Sequence, residues 1–294
     1  MENVMIILNY NDFFTVNNYI ERIKGYKNID KIVIVDNLST DNSYENLKKI
    51  GSDKIDIIQT KYNGGYSYGN NFGIKYVNKT YHPKYVTISN PDIIIEENDI
   101  STILRSFDKN EDVAVATGLM YNKNNKLCKN SGLKIPNFFQ CIMSEFTILS
   151  KVLNIRMYNI DKVLKREYYE VEIVPGSFLI CDMNKIIQSG LYDEETFLYG
   201  EERILGCRLK CKGYKTILAT NARYIHFHGE TINKEIQNNF IKYDMASKSK
   251  IIYMKKYLKA NNAQIKIYEA MHKISKLEKF IIFNLNKYKS NYET

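Results

Sequence analysis

The sequence predicts an α/β fold: a mostly parallel, doubly wound central sheet flanked by helices, followed by a helical C-terminal extension. Three observations carry that expectation. Short apolar runs rich in Val and Ile recur through the first third of the chain, and segments of helical period separate them. A glycine-rich turn opens one of those helices. Beyond residue 233 the pattern stays helical almost to the end, with no proline in it. Strands alternating with helices imply parallel pairing, because each crossover returns the chain to the same end of the sheet.

Taken in order, residues 4–9 (VMIILN) read as a buried strand and 13–26 as an amphipathic helix. Residues 31–36 (KIVIVD) are a second strand, and 41–50 a helix with Ser39 or Thr40 as its cap. Residues 54–60 form the third strand, 65–78 a helix behind the glycine turn, 84–89 (KYVTIS) the fourth strand and 113–117 the fifth. From 121 to 170 the periodicity decays, which suggests an excursion from the sheet able to shape an acceptor pocket. Regularity returns at 171–181 (VEIVPGSFLIC), with helices to 189 and over 201–212 and a strand at 215–220. The chain divides into 1–232 and a basic helical region, 233–294. No internal repeat is found.

Composition narrows the class. The 294 residues are 44% hydrophobic and 26% charged, enough apolar content for one large domain plus a tail. Five cysteines show no C-x-x-C pair; Cys207 and Cys211 stand four apart on a helix without the His or Cys partners of a zinc site. Reduced thiols in a cytoplasmic protein are the expectation. The start, MENVMIILNYND, reads as a first strand rather than a signal peptide, and no run reaches the roughly 18 apolar residues of a membrane span. The net charge of +9 is concentrated after residue 233, which favours anionic surfaces.

Asn90-Pro91-Asp92 ends the fourth strand abruptly. The carboxyl end of a buried strand is where open α/β sheets bind ligands, and a carboxylate beside an amide suits a divalent cation that also carries phosphates. As a dipeptide pattern it is equally an ordinary turn. Asp36-Asn37 ends the second strand, where an acid can meet a ribose hydroxyl or base edge. Residues 63–73 (NGGYSYGNNFG) enter a helix whose first amides can meet phosphate or nucleoside, although neither a P-loop nor G-x-G-x-x-G is present.

In series, ILNYND, VDNLSTDNS, NGGYSYGNNFGI and SNPD resemble the family 2 glycosyltransferases, above all their bacterial rhamnosyltransferase-like branch. The likeness continues through GSFLI (176–180), GLYDEETFLYGEE (190–202), RLKCKGY (208–214) and HFHGET (226–231). It spans about the first 230 residues, and the serial order is more specific than any one piece. The resemblance implies a GT-A fold, Rossmann-like, and an inverting transfer from a nucleotide-sugar donor with a divalent cation, Mn2+ or Mg2+. It implies donor contacts at Asn9, Asp36, Asn37, Asn63, Gly65, Asn71, Asn90 and Asp92, and a metal held by Asp92 and His226. His228 is the alternative to His226, and His228 or Arg208 could reach the diphosphate, although an arginine two turns along a helix more often simply pairs with nearby acids. Glu202 is the implied catalytic base and Glu201 its partner, at a helix start whose dipole favours carboxylates. Two departures stand out: Asn90 replaces the first acid of the metal motif, and Ile204 stands where an acid usually follows the base.

The expected donor is dTDP-L-rhamnose, with a UDP-hexose as the close alternative, and the acceptor a cell-surface glycan, capsule or lipid-linked sugar. A catalytically silent donor-binding subunit is the rival that Asn90 and Ile204 would support. Nucleic acid is not an expected partner, since no recognition motif is present. In the tail, residues 248–259 and 265–288 interleave lysines with apolar residues. That pattern suits packing on the catalytic domain, a peripheral position on the inner membrane surface, or a homodimer.

Overall fold

The computed structural model describes residues 1–153, 157–227 and 239–292. The first half alternates strictly: β1 (Asn3–Asn9), α1 (Phe13–Ile23), β2 (Lys31–Asp36), α2 (Ser43–Lys48), β3 (Ile55–Gln59), α3 (Gly65–Tyr81) and β4 (Tyr85–Ser89). β1 lies between β2 and β4, β2 continues to β3, and all these pairs are parallel. The continuous apolar runs are explained by burial on both faces. Met5, Ile7, Ile32 and Ile34 pack with α1, whereas Val4, Ile6, Val33 and Val35 pack with Ile74 and Val77 of α3.

The second half is mixed. It runs β5 (Ile93–Ile95), α4 (Glu97–Leu104), β6 (Val113–Asn122), α5 (Phe138–Met143), α6 (Thr147–Val152), α7 (Ile160–Leu164), β7 (Tyr168–Val171), β8 (Phe178–Asp182), α8 (Met183–Gln188), α9 (Glu201–Cys211) and β9 (Lys215–His226). The sheet order among the described residues is β3-β2-β1-β4-β8-β6-β9-β5, with β7 beside β9. β8 is inserted antiparallel between β4 and β6, so its first residue, Phe178, pairs with the last of β4, Ser89. The chain just before β8 therefore sits at the carboxyl edge of the parallel strands, where ligands bind.

Several boundaries differ from the expectation. β9 runs to His226 rather than stopping near 220, because a register shift against β6 at Gly118/Leu119 lets the polar stretch after Ala219 bulge and then resume pairing. The short β5 was not expected at all; it pairs with the end of β9, Ile93 opposite His226. α2 begins only at Ser43, and neither Ser39 nor Thr40 caps it. Ser39 instead turns its hydroxyl to Asp36.

The C-terminal helices α10 (Asn239–Lys256) and α11 (Asn262–Tyr292) pack on the excursion after β6. Tyr253, Met254, Ile265 and Tyr268 are buried with Cys141, Ile142 and Ile204 in a core cluster of their own. Beside it Glu145, 1% exposed, receives hydrogen bonds from Lys250, Tyr243 and Tyr268 (3.0 Å for the last) and contacts His272 at 2.8 Å. Burial alone would raise this carboxyl, but the Lys250 charge and the converging donors hold it at about 2. A depressed carboxyl stabilises the fold above its ordinary 4.5 and loses that contribution as pH falls toward about 2. Glu145→Ala should cost about 3–5 kcal/mol in urea unfolding at neutral pH, because Lys250 is left buried and uncompensated. A cost below about 1 kcal/mol would show that the cluster does not hold the helices in place.

Candidate active site

Asp36 stands at the end of β2 directly across from Asn9 at the end of β1. It has no exposed surface, and its oxygens accept from Asn9 Nδ2 (2.8 Å), the Ser39 amide (3.0 Å), Ser39 Oγ (2.6 Å) and Gln59 Nε2 (2.9 Å). This corrects the expectation of a ligand-facing acid: as folded, Asp36 organises the strand-end loops, and its carboxylate is already saturated. Asn9 Oδ1 is buried with no hydrogen-bond partner among the described residues, which is the signature of a group that a ligand or water satisfies. Gln59 went unnoticed in the sequence, and Ser39 was read there only as a helix cap; a polar residue ending β3 opposite Asp36 was the available signal.

Asn37 and Asn63 form one unit. Asn37 Nδ2 donates to Asn63 Oδ1 (2.8 Å) and to the Gly65 carbonyl (3.1 Å), while the Gly65 amide donates to Asn63 Oδ1 (3.1 Å). Gly65 has φ +80°, and a Cβ there would fall 2.0 Å from the Phe197 carbonyl oxygen, so only glycine fits. Asn71 is a correction. Its amide donates to the Tyr192 carbonyl (3.0 Å) and Glu194 (2.8 Å) and accepts from the Tyr192 amide (3.1 Å). It clamps the loop leading to α9 instead of flanking a nucleoside.

Arg208 pairs with an acid, as an arginine two turns along a helix more often does. Its guanidinium donates to the Gly190 and Leu191 carbonyls (2.6 and 2.8 Å) and to Tyr257 Oη (2.8 Å), and lies 3.3 Å from Asp193. It braces that same loop against the C-terminal region. With Asn71 on one side and Arg208 on the other, the start of α9 is held firmly.

The acids at that start are unequal. Glu201 is buried, and Oε2 makes no hydrogen bond among the described residues. Burial first, and then the neighbouring Glu202 carboxylate, push the Glu201 carboxyl well above the ordinary range. Glu202 is partly open and accepts from the Gly176 amide at 3.2 Å. The Gly176 carbonyl takes the Tyr66 hydroxyl at 2.6 Å, and the Ser177 carbonyl takes the Asn90 amide at 2.8 Å. A Cβ on Gly176 would stand 3.0 Å from both Glu202 Oε1 and Tyr66 Oη. Tyr66 was missed as a functional residue, although it lies within the glycine turn.

Asp92 is nearly buried, and its Oδ1 lies 3.3 Å from His226 Nε2. The β5–β9 pairing makes this meeting, reinforced by the Phe227 amide donating to the Asp92 carbonyl. A carboxylate oxygen and an imidazole nitrogen side by side are a donor set that suits Mn2+. No third His, Cys, Asp or Glu joins them among the described residues, so any ion held here would draw its other ligands from elsewhere. His228 lies outside the described residues.

Residues 4–167 match the family model described as glycosyl transferase family 2. Among curated proteins, the rhamnosyltransferase WbbL of Escherichia coli is 26% identical over 169 residues, 55% of this chain and 61% of that protein. The low-salt glycan biosynthesis hexosyltransferase Agl10 of Haloferax volcanii is 26% identical over 198 residues, 67% of this chain and 58% of that protein. The matches thus span about three fifths of either relative. Among solved structures, GalNAc-T7 with UDP, GalNAc and Mn2+ superposes with a TM-score of 0.56 at 12% identity, covering 93% of this chain and 54% of that one. A mannosyltransferase from Pyrobaculum calidifontis with GDP-Man and Mn2+ gives 0.57 at 12% identity, covering 92% and 69%. These neighbours are GT-A proteins, and the fold here is GT-A.

If Asn71 is a clamp, Asn71→Ala should cost about 2–3 kcal/mol, since it strands buried backbone groups of Tyr192. Nucleotide affinity of the folded fraction should change less than about twofold. Stability near wild type with lost nucleotide binding would return Asn71 to the ligand.

Proposed function

The chain belongs to glycosyl transferase family 2, and from that premise we propose that it transfers a sugar from a nucleotide-sugar donor to an acceptor hydroxyl with inversion at the anomeric carbon. The observation that carries the reading is the pair of bonds at Gly176-Ser177. One residue's amide holds Glu202, and the next residue's carbonyl holds the turn before Asp92. In this reading one short segment positions both the base and the turn that leads to the cation-holding Asp92.

In this reading Glu202 accepts the proton of the attacking acceptor hydroxyl as the new glycosidic bond forms and the bond to the nucleoside diphosphate breaks. The reaction centre carries oxocarbenium character, as in glycoside hydrolysis. Glu201 stands beside the base, its carboxyl pushed upward by burial and by Glu202. Asp92 and His226 would hold a divalent cation, which supplies charge neutralisation at the departing diphosphate. Asn9, Asn37, Asn63 and Gly65 form the nucleoside end, with Asp36 behind them and the Asn90 turn closing the phosphate side. Gly176 and Tyr66 position Glu202 and do not touch the reacting atoms.

The Escherichia coli relative is a rhamnosyltransferase and the Haloferax volcanii relative a hexosyltransferase. Those names support a rhamnosyl or hexosyl group as the one transferred; the reading takes dTDP-L-rhamnose as the donor first and a UDP-hexose second, with a glycan or lipid-linked acceptor. The silent-subunit reading loses one of its two supports. Ile204 is fully buried against Tyr253 and Met254 of α10, so an acid there would be stranded in an apolar contact. The departure has a packing cause and implies nothing against catalysis.

Glu202→Gln should leave nucleotide affinity within about threefold of wild type and lower turnover about 10²–10⁴-fold, measured with a panel of donors and acceptors. Near wild-type transfer by that variant would remove Glu202 from the base role. Gly176→Ala should lower kcat about tenfold or more with little change in donor affinity, since the new methyl crowds Glu202. An unaffected kcat would detach this segment from positioning the base.

A further inference from the structure

α11 is apolar on two opposite faces. Ile265, Tyr268 and Ser275 face the domain and are buried. On the other side Ile267, Ala270, Ile274, Leu277 and Ile281 recur at three- and four-residue spacing, and all are exposed, the four large ones by 50–64%. A stripe at that spacing lies along one line of a helix. Among the described residues nothing in the core requires it to be apolar, because the packed face is already the other one.

The stripe does not end with the helix. Glu278 of α11 accepts the amides of Thr147 and Ile148, which seats the start of α6 against α11. α6 adds Ile148 and Val152, exposed by 62% and 72%. The first basic apolar stretch of the tail behaves differently: Tyr253 and Met254 are buried and Ile251, Ile252 and Leu258 pack against the same cluster. Only the second stretch leaves an apolar face open.

Charge then selects the partner. Residues 239–292 contain twelve lysines and three acids, a balance of +9 that equals that of the whole chain. The described part of the catalytic domain is therefore close to neutral, and the excess sits where the apolar stripe is. Lys266 and Lys273 are exposed along one flank of the stripe. Two copies meeting through this face would oppose like charges, whereas an anionic lipid surface satisfies both the lysines and the apolar side chains. No described helix is long and apolar enough to cross a membrane, so the contact is one that lies along the surface.

We propose that the outward face of α11, extended by α6, docks on an anionic lipid bilayer. The stripe enters the headgroup boundary, and Lys266 and Lys273 lie among the lipid phosphates. Sugar transfer is not needed for this contact, so it stands or falls separately from the function proposed above.

The test is co-sedimentation of the full chain with vesicles of phosphatidylcholine alone and of phosphatidylcholine with phosphatidylglycerol at about seven to three. Binding is expected only to the anionic vesicles and should weaken with salt. The Ile274→Gln, Leu277→Gln, Ile281→Gln variant should lose more than about tenfold in binding with an unchanged Tm, because these side chains are already in water. Lys266→Gln and Lys273→Gln should each weaken it about fivefold. Equal binding to both vesicle types, or binding to neither, overturns the proposal. So does a wild-type dimer in light scattering that the glutamine variant turns into a monomer without either binding vesicles, which would make this a contact between copies.

Discussion

Two consecutive residues, Gly176 and Ser177, hold the site together. Their backbone groups bond to three separate parts of the chain: Glu202 at the start of α9, Tyr66 at the start of α3, and Asn90 after β4. The Ser177 side chain adds a fourth, with its hydroxyl 3.0 Å from that of Tyr224 on β9. Backbone hydrogen bonds at this density fix position because each buried group must be paired. A side chain at 176 would crowd Glu202 and Tyr66, whose tips stand 3.0 Å from where its Cβ would be. The antiparallel insertion of β8 brings this segment to the carboxyl edge of the sheet.

The parallel half and the mixed half of the sheet divide the work accordingly. The parallel half presents strand-end polar groups at Asn9, Asp36 and the glycine turn, ordered by one another before any ligand arrives. The mixed half brings in His226 and Glu202, each from an element distant in sequence. Preorganisation of this kind means that little hydrogen-bond rearrangement accompanies ligand binding. The loop before α9 is held from both sides, by Asn71 and by Arg208, which explains why two residues that look ligand-directed in sequence are spent on structure.

Much of the fold was legible because the strands β1 to β4 are buried on both faces and write themselves as apolar runs. The candidate site was legible in identity more than in role. Asp92 and His226 are the clearest pair: the sequence singles out each, but only the β5–β9 pairing brings them to 3.3 Å. β5 was missed because three isoleucines after a proline turn give too short a run to separate from the turn itself. The extension of β9 was missed because a bulge interrupts its alternation. The ligand roles expected of Asp36 and Asn71 rest on strand-end position and on the family resemblance, neither of which reveals the neighbours that each one bonds.

The account stands on a donor site assembled at the carboxyl edge around Asn9, Asn37, Asp92 and His226. Calorimetric titration of dTDP and UDP, each with and without Mn2+, tests it most directly, with Asp92→Ala as the control. The account predicts that one nucleotide binds, that Mn2+ strengthens it by about tenfold or more, and that Asp92→Ala abolishes the metal-dependent gain. Failure of folded protein to bind either nucleotide, or binding that is indifferent to both Mn2+ and Asp92, would contradict it.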